Sequence, residues 1–248
     1  MEIITSKSNS KIVEAKKLLD KKYRDKTRLF LIETKKVIFE AINAGLVPQK
    51  VFVLEGKENI FDINSNNVFV LSKSVFNEIS SVVSSDGYIA VFEKPANQKK
   101  YDSGNFLVLD NIQNPDNMGA IMRTALATDF KQIFVIDSVD EFSPKVIRAS
   151  MGNQFKLQIT HIAYDDVPKL FKNANLFTAS MEGKPVFDIK SFSKNVGLVI
   201  GNEGRGVSES LKKMVANTIS IPMQNGVESL NASVSASILM CYISQNQN

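Results

Sequence analysis

The chain has 248 residues, of which 44% are hydrophobic and 23% charged, a globular composition that excludes a disordered, collagen-like or coiled-coil protein. No apolar run reaches the ~18 residues of a membrane span, and the opening MEIITSKSNSK lacks the apolar core of a signal peptide, so a cytoplasmic location is expected. A single cysteine (Cys241) and a single histidine (His161) rule out an internal disulfide and a cysteine metal cluster, and make a histidine-centred site improbable. Chemistry must then rest on Arg, Asn, Glu and Ser.

The net charge of +4 is uneven. Residues 1–104 carry 17 Lys and Arg against 13 Asp and Glu, whereas residues 105–248 balance at 13 each. The first 36 residues alone hold 11 basic against 5 acidic side chains. Such a cluster reads either as a solvated helix face or as a contact for a polyanion, since phosphate affinity comes largely from Lys and Arg releasing counterions.

In chain order, Ile12, Val13, Leu18 and Leu19 recur near helical spacing among lysines. LFLIE (29–33) predicts a strand, and residues 35–44 a helix stopped by Gly45. Residues 51–54, 68–71 and 87–92 read as strands, and 72–80 as a helix with Ser72 at its N-cap. The polar stretch EKPANQKKYDSG (93–104) reads as a linker, giving a first domain over 1–95, a linker over 96–104 and a second domain over 105–248. Strand signals follow at 106–109, 133–136, 155–159, 176–179, 197–200 and 218–221, with helices near 117–128, 144–151, 165–173, 208–216 and 231–244. Short buried strands alternating with helices predict an α/β domain with a mostly parallel sheet.

Ligands of open α/β sheets sit beyond the carboxyl ends of strands, and three strands here run into unusual polar segments. LDNIQNPDNMGAIMRTA (109–125) places Asn117, Gly119 and Arg123 on a loop and helix; the plain reading of Arg123 is an edge arginine paired with an acid. LVIGNEGRGVS (198–208) opens a buried strand into three glycines with Asn202 and Glu203 between them. A simple turn needs fewer glycines, so this is a ligand loop where the backbone approaches closely; it matches neither the Walker nor the GxGxxG pattern. In ISIPMQNGVESLNASVSASILMCYI (219–243), a strand gives way to a turn carrying Gly226, and Ser229 or Asn231 caps the last helix.

Together, in this order, the three segments resemble the SpoU (TrmH-like) family of RNA ribose methyltransferases. NPDNMGAIMRTA resembles its Asn-x-Gly-x-x-x-Arg motif, IGNEGRGVS its Gly-Asn-Glu-Gly-x-Gly motif, and IPMQNGVESLNASVSASI its Ile-Pro-Met and Ser-Leu-Asn motif. The N-terminal SKSNSKIVEAKKLLDKKYRDKTRLFLIET is similar to the substrate-binding domain often joined to it, itself like small RNA-binding ribosomal proteins. Thr34 and Asp116 stand where many relatives carry Gly. The resemblance implies a deep trefoil knot built from about 175–243, S-adenosylmethionine bound by Gly201, Asn202, Gly204, Ile221 and Leu230, and no metal. It further implies a catalytic set of Arg123, Asn117, Glu203, Ser229 and Asn231, a ribose 2′-OH of RNA as methyl acceptor, ribosomal RNA before tRNA, and a homodimer through the knotted domain. A non-catalytic RNA-binding ribosome-assembly protein is the alternative from another class.

Overall fold

The computed structural model describes residues 2–82, 84–96, 100–224 and 227–247. In chain order the first part runs β1 (Ile3–Ile4), α1 (Ser10–Lys17), α2 (Lys21–Thr27), β2 (Leu29–Glu33), α3 (Lys35–Asn43), β3 (Lys50–Leu54), β4 (Val68–Leu71), α4 (Lys73–Ile79) and β5 (Tyr88–Glu93). Next come β6 (Phe106–Asp110), α5 (Pro115–Ala127), β7 (Gln132–Ile136), α6 (Pro144–Ser150), β8 (Gln158–His161) and α7 (Val167–Leu170). The chain closes with β9 (Asn175–Pro185), β10 (Val196–Ile200), α8 (Glu209–Met214), β11 (Asn217–Ser220) and α9 (Ala232–Gln245).

Two compact units form: Met1–Ala96 with Asp140–Phe155, and Asn97–Val139 with Lys156–Asn248. The expected linker contains residues 97–99, and the expected turn contains Gly226; both lie outside the described residues. Residues 140–155, which sequence order assigns to the second domain, pack instead with the first unit.

The first unit is a mixed five-stranded sheet of order β1-β4-β3-β5-β2, with β5 antiparallel to both neighbours. Alternating side chains of its strands feed two cores, as a period of two requires. Phe30 and Ile32 of β2 pack with Val37, Ile38 and Ala41 of α3 and with Phe142 and Ile147 of the 140–155 segment. Leu31, between them, faces Ile12, Ala15 and the α4 residues Val75, Phe76 and Ile79. The helical spacing read from Ile12 to Leu19 is cut after Lys17, and Asp20 caps the separate helix α2 by accepting the Tyr23 N–H at 3.2 Å. Ser72 occupies the α4 cap position, but its side chain makes no capping bond there.

In the second unit a six-stranded, all-parallel sheet runs β11-β9-β10-β6-β7-β8. Every residue of β6, β7 and β10 is buried, the signature of a sheet covered on both faces. Phe106, Phe134 and Val199 face Phe171 and Leu211 on one side. On the other side α5 packs against α9, with Thr124 and Ser237 joined through their hydroxyls at 2.9 Å. Because all six strands point the same way, their carboxyl ends converge on one edge. There the polar segments meet.

Candidate active site

The loop after β6 is built from amides. Asn111 adopts a left-handed φ of 59°, and its carbonyl oxygen accepts a hydrogen bond from Asn202 Nδ2 at 2.8 Å. Asn114 caps α5, its Oδ1 accepting the N–H groups of Asp116 at 2.8 Å and Asn117 at 3.4 Å, with Pro115 opening the helix. These residues carry the site although no family motif marks Asn111 or Gln113; their signal was the polar run following FLVL.

Glu203 ties this loop to the one after β10. Its Oε1 accepts from the Asn114 N–H and from Asn117 Nδ2, both at 3.0 Å, and its Oε2 from the Gln113 N–H at 3.2 Å. An ionised carboxylate only accepts hydrogen bonds, so Asn117 must offer its NH₂ and keep Oδ1 free. That oxygen accepts from Asn231 Nδ2 at 2.9 Å. The Asn231 Oδ1 is left to cap α9, accepting the N–H groups of Ser233 at 2.9 Å and Val234 at 3.4 Å. One polarity therefore runs from the α9 cap to Glu203 through Asn117, which is buried to 5% exposure. Partial burial pushes the Glu203 carboxyl up, but the bonds from Asn117, Asn114 and Gln113 outweigh it and hold the group below its ordinary value.

Beside Glu203 lies a cavity of about 450 Å³. Gly201, Asn202, Gly204, Ile221 and Leu230, all expected at the cofactor, line it, as do Glu203 and Ser229. Gly201 has no substitute: a Cβ there would lie 2.1 Å from the Val207 nitrogen and 2.2 Å from the Gly206 carbonyl carbon. The loop 201–206 folds back on the strand end only because that atom is missing. Asn117 and Asn231 reach the cavity through Glu203 rather than lining it. Ser229 is exposed and leaves the α9 cap to Asn231. Arg123 stands exposed on α5, outside the cavity wall. Among the described residues its side chain makes no hydrogen bond or ion pair, so the reading of a helix-edge arginine paired with an acid does not hold.

Residues 104–241 match the SpoU rRNA methylase family. The chain belongs to that family. Residues 9–90 match the MRM3-like substrate-binding domain. The chain is 29% identical to the 23S rRNA (guanosine(2553)-2′-O)-methyltransferase RlmP of Bacillus subtilis, over 98% of this chain and 99% of that protein. It is 30% identical to an uncharacterised tRNA/rRNA methyltransferase of Mycoplasma genitalium, covering 82% of this chain and 88% of that one. A putative RNA methyltransferase of the TrmH family from Porphyromonas gingivalis superposes with a TM-score of 0.86 at 27% identity, over 95% of this chain and 97% of the other. The SpoU match takes in the first two polar segments and the third as far as Cys241, and with them the Asn231–Asn117–Glu203 chain.

Proposed function

We propose that this SpoU methylase transfers a methyl group from S-adenosylmethionine to a ribose 2′-OH of ribosomal RNA in the cytoplasm. The observation that carries the reading is the junction of a cofactor-sized cavity with the Asn231–Asn117–Glu203 chain. A volume of about 450 Å³ falls in the range of small-molecule sites. Its glycine loop and the strand end at Ile221 offer backbone at close quarters, and Ile221 and Leu230 offer apolar surface, a combination that fits an adenine ring. When bound, the cofactor supplies a methyl group on a sulfonium, already a good leaving group, so the protein's task is alignment.

Arg123 is the catalytic residue of the proposal. A guanidinium is a poor base, so Arg123 binds a phosphate or hydroxyl of the target nucleotide and stabilises developing negative charge. The hydroxyl proton leaves to phosphate or water. Glu203, Asn117 and Asn231 hold the loop and the first turns of α5 and α9 in register, and Ser229, on the cavity wall, orients the ribose in this reading. Residues 1–95, with the 140–155 segment packed on them, form the RNA substrate-binding domain, and the rest of 105–248 the methyltransferase domain. A deep trefoil knot over about 175–243 is part of the proposal. It is supported by the close approach of β11 to β9 at Gly183, where a Cβ would meet the Ile219 backbone at 2.5–2.7 Å, and by β9 lying between β11 and β10.

The proposed homodimer uses α9, which leaves Val234 45% exposed beside Ser233 and Ser237. Light scattering at micromolar concentration checks it: twice 27.5 kDa is expected, and the monomer mass overturns it. For the activity, the protein is incubated with methyl-labelled cofactor and ribosomal RNA, and the product is digested to nucleosides. Label in a 2′-O-methylnucleoside is expected; label on a base, or none, overturns the reading.

A further inference from the structure

The cavity wall carries more charge than an adenosine needs. Arg205, Glu182 and Glu228 line it from three separate segments: the loop after β10, the strand β9 and the stretch before α9. Among the described residues none of the three enters an ion pair; Lys212 on the same wall pairs with Glu209 at 2.9 Å and also feels the charge of Glu182. Arg205 is also carried on a fixed base. Asn202 Oδ1 accepts the N–H groups of Gly204 at 3.0 Å and Arg205 at 3.1 Å, and the Gly206 N–H returns to the Asn202 carbonyl at 2.9 Å. Asn202 is itself held by Asn111 at 2.8 Å. A guanidinium on a pinned turn loses less freedom on binding than one on a loose loop.

One cation and two carboxylates that enter no ion pair among the described residues, lining one cavity, match a zwitterion. We infer that Arg205 binds the α-carboxylate of the cofactor's amino-acid end, with Glu182 and Glu228 facing its ammonium. The inference rests on the proposed function, in which this cavity takes S-adenosylmethionine. The planar guanidinium pairs with a carboxylate through two parallel hydrogen bonds. An RNA phosphate is the poorer occupant, because the same wall presents two carboxylates that repel it.

Calorimetry on the full chain tests this with three probes: S-adenosylhomocysteine, its decarboxylated amine analogue, and 5′-methylthioadenosine, which has neither charged group. Arg205→Met is expected to weaken S-adenosylhomocysteine by about tenfold or more. The same variant should bind both other probes within about twofold of the wild type, which also shows that it folds. Arg205→Lys should recover part of the loss. Equal weakening of all three probes, or no weakening of S-adenosylhomocysteine, overturns the assignment. So does a fall in RNA affinity with S-adenosylhomocysteine binding intact, which makes Arg205 a phosphate contact. Failure of the wild type to bind any of the probes is a different result: it overturns the cofactor reading itself, and this inference falls with it.

Discussion

Two polar networks, one in each unit, join residues about a hundred positions apart, and they are built to opposite rules. In the first unit Arg24 and Asp140 meet at 2.7 Å with side chains only 3% and 5% exposed. The rest of each group is tied in as well: Arg24 Nη1 donates to the Leu18 carbonyl at 2.8 Å, and Asp140 Oδ1 accepts the Phe142 N–H at 3.0 Å. In the second unit Glu203 is exposed, its partners are amides and backbone N–H groups, and no cation approaches it among the described residues. A sealed ion pair holds a fold together, because removing either half leaves a buried charge. An open carboxylate held by neutral donors keeps its charge available to a cavity. Saturation marks structure; organised exposure marks a site.

Breaking the sealed network should do the most damage. Arg24→Ala leaves Asp140 buried with only Lys94 at 3.7 Å, and a loss of about 3–5 kcal/mol is expected in urea unfolding. Combining Arg24→Met with Asp140→Leu should recover most of it; a double variant as unstable as the single one would show that packing, not charge, holds the segment. Arg123→Ala should leave stability unchanged, since the side chain is exposed and unpaired, while cutting methyl transfer by about 10²–10³-fold. S-adenosylhomocysteine affinity, measured in parallel, should hold; an equal loss would move Arg123 into the cofactor site.

Glu203→Gln sharpens the contrast through pH. The folded carboxyl lies below its ordinary 4.5, so its stabilising contribution is complete above that pH and disappears as the pH falls through the folded value. Gln brings an NH₂ toward donors it cannot satisfy. The variant should therefore have lower activity at neutral pH and lack that acid-side slope in a stability profile. A slope unchanged from the wild type would place the titration elsewhere. The smallest effect is expected at Thr34, a β-branched residue held at φ 80° with no capping bond from its side chain. Thr34→Gly should raise stability by roughly 1 kcal/mol, read as a shift in the urea midpoint. A decrease would mean that its methyl and hydroxyl make up for the strained backbone.

Much of the second unit could be read directly. FLVL, IFVI and GLVI are fully buried strands because a parallel sheet covered on both faces asks for unbroken apolar runs. Asn117, Glu203 and Asn231 were grouped in the sequence only through the resemblance of their three segments to SpoU motifs; that they hydrogen-bond in one chain is visible only in the structure. Three features depended on tertiary context instead. The strand expected at 155–159 begins at Gln158, since Phe155 packs against the core of the first unit. β9 continues through the polar Ser180–Lys184, because pairing with β11 resumes there after a register shift. The helix α6 belongs to the first unit, a matter settled by which core takes Phe142 and Ile147, and a local apolar pattern carries no such address. The basic cluster at the N-terminus is also less free than its count: Lys7 and Lys16 both close on Glu78 at 2.6 Å, and Arg24 is buried.

The return of residues 140–155 to the first unit sets a timetable for the newborn chain. At about 5–20 residues per second, a ribosome takes roughly 3–12 s to pass from the end of β5 to Phe155. For that interval Phe30 lacks Phe142, its ring neighbour at 4.7 Å, and Arg24 has no Asp140, while β6 and β7 are already being made. The N-terminal unit thus cannot finish before its successor starts. Synonymous codons that slow translation between residues 96 and 155 lengthen the time an unfinished core stands open to chaperones.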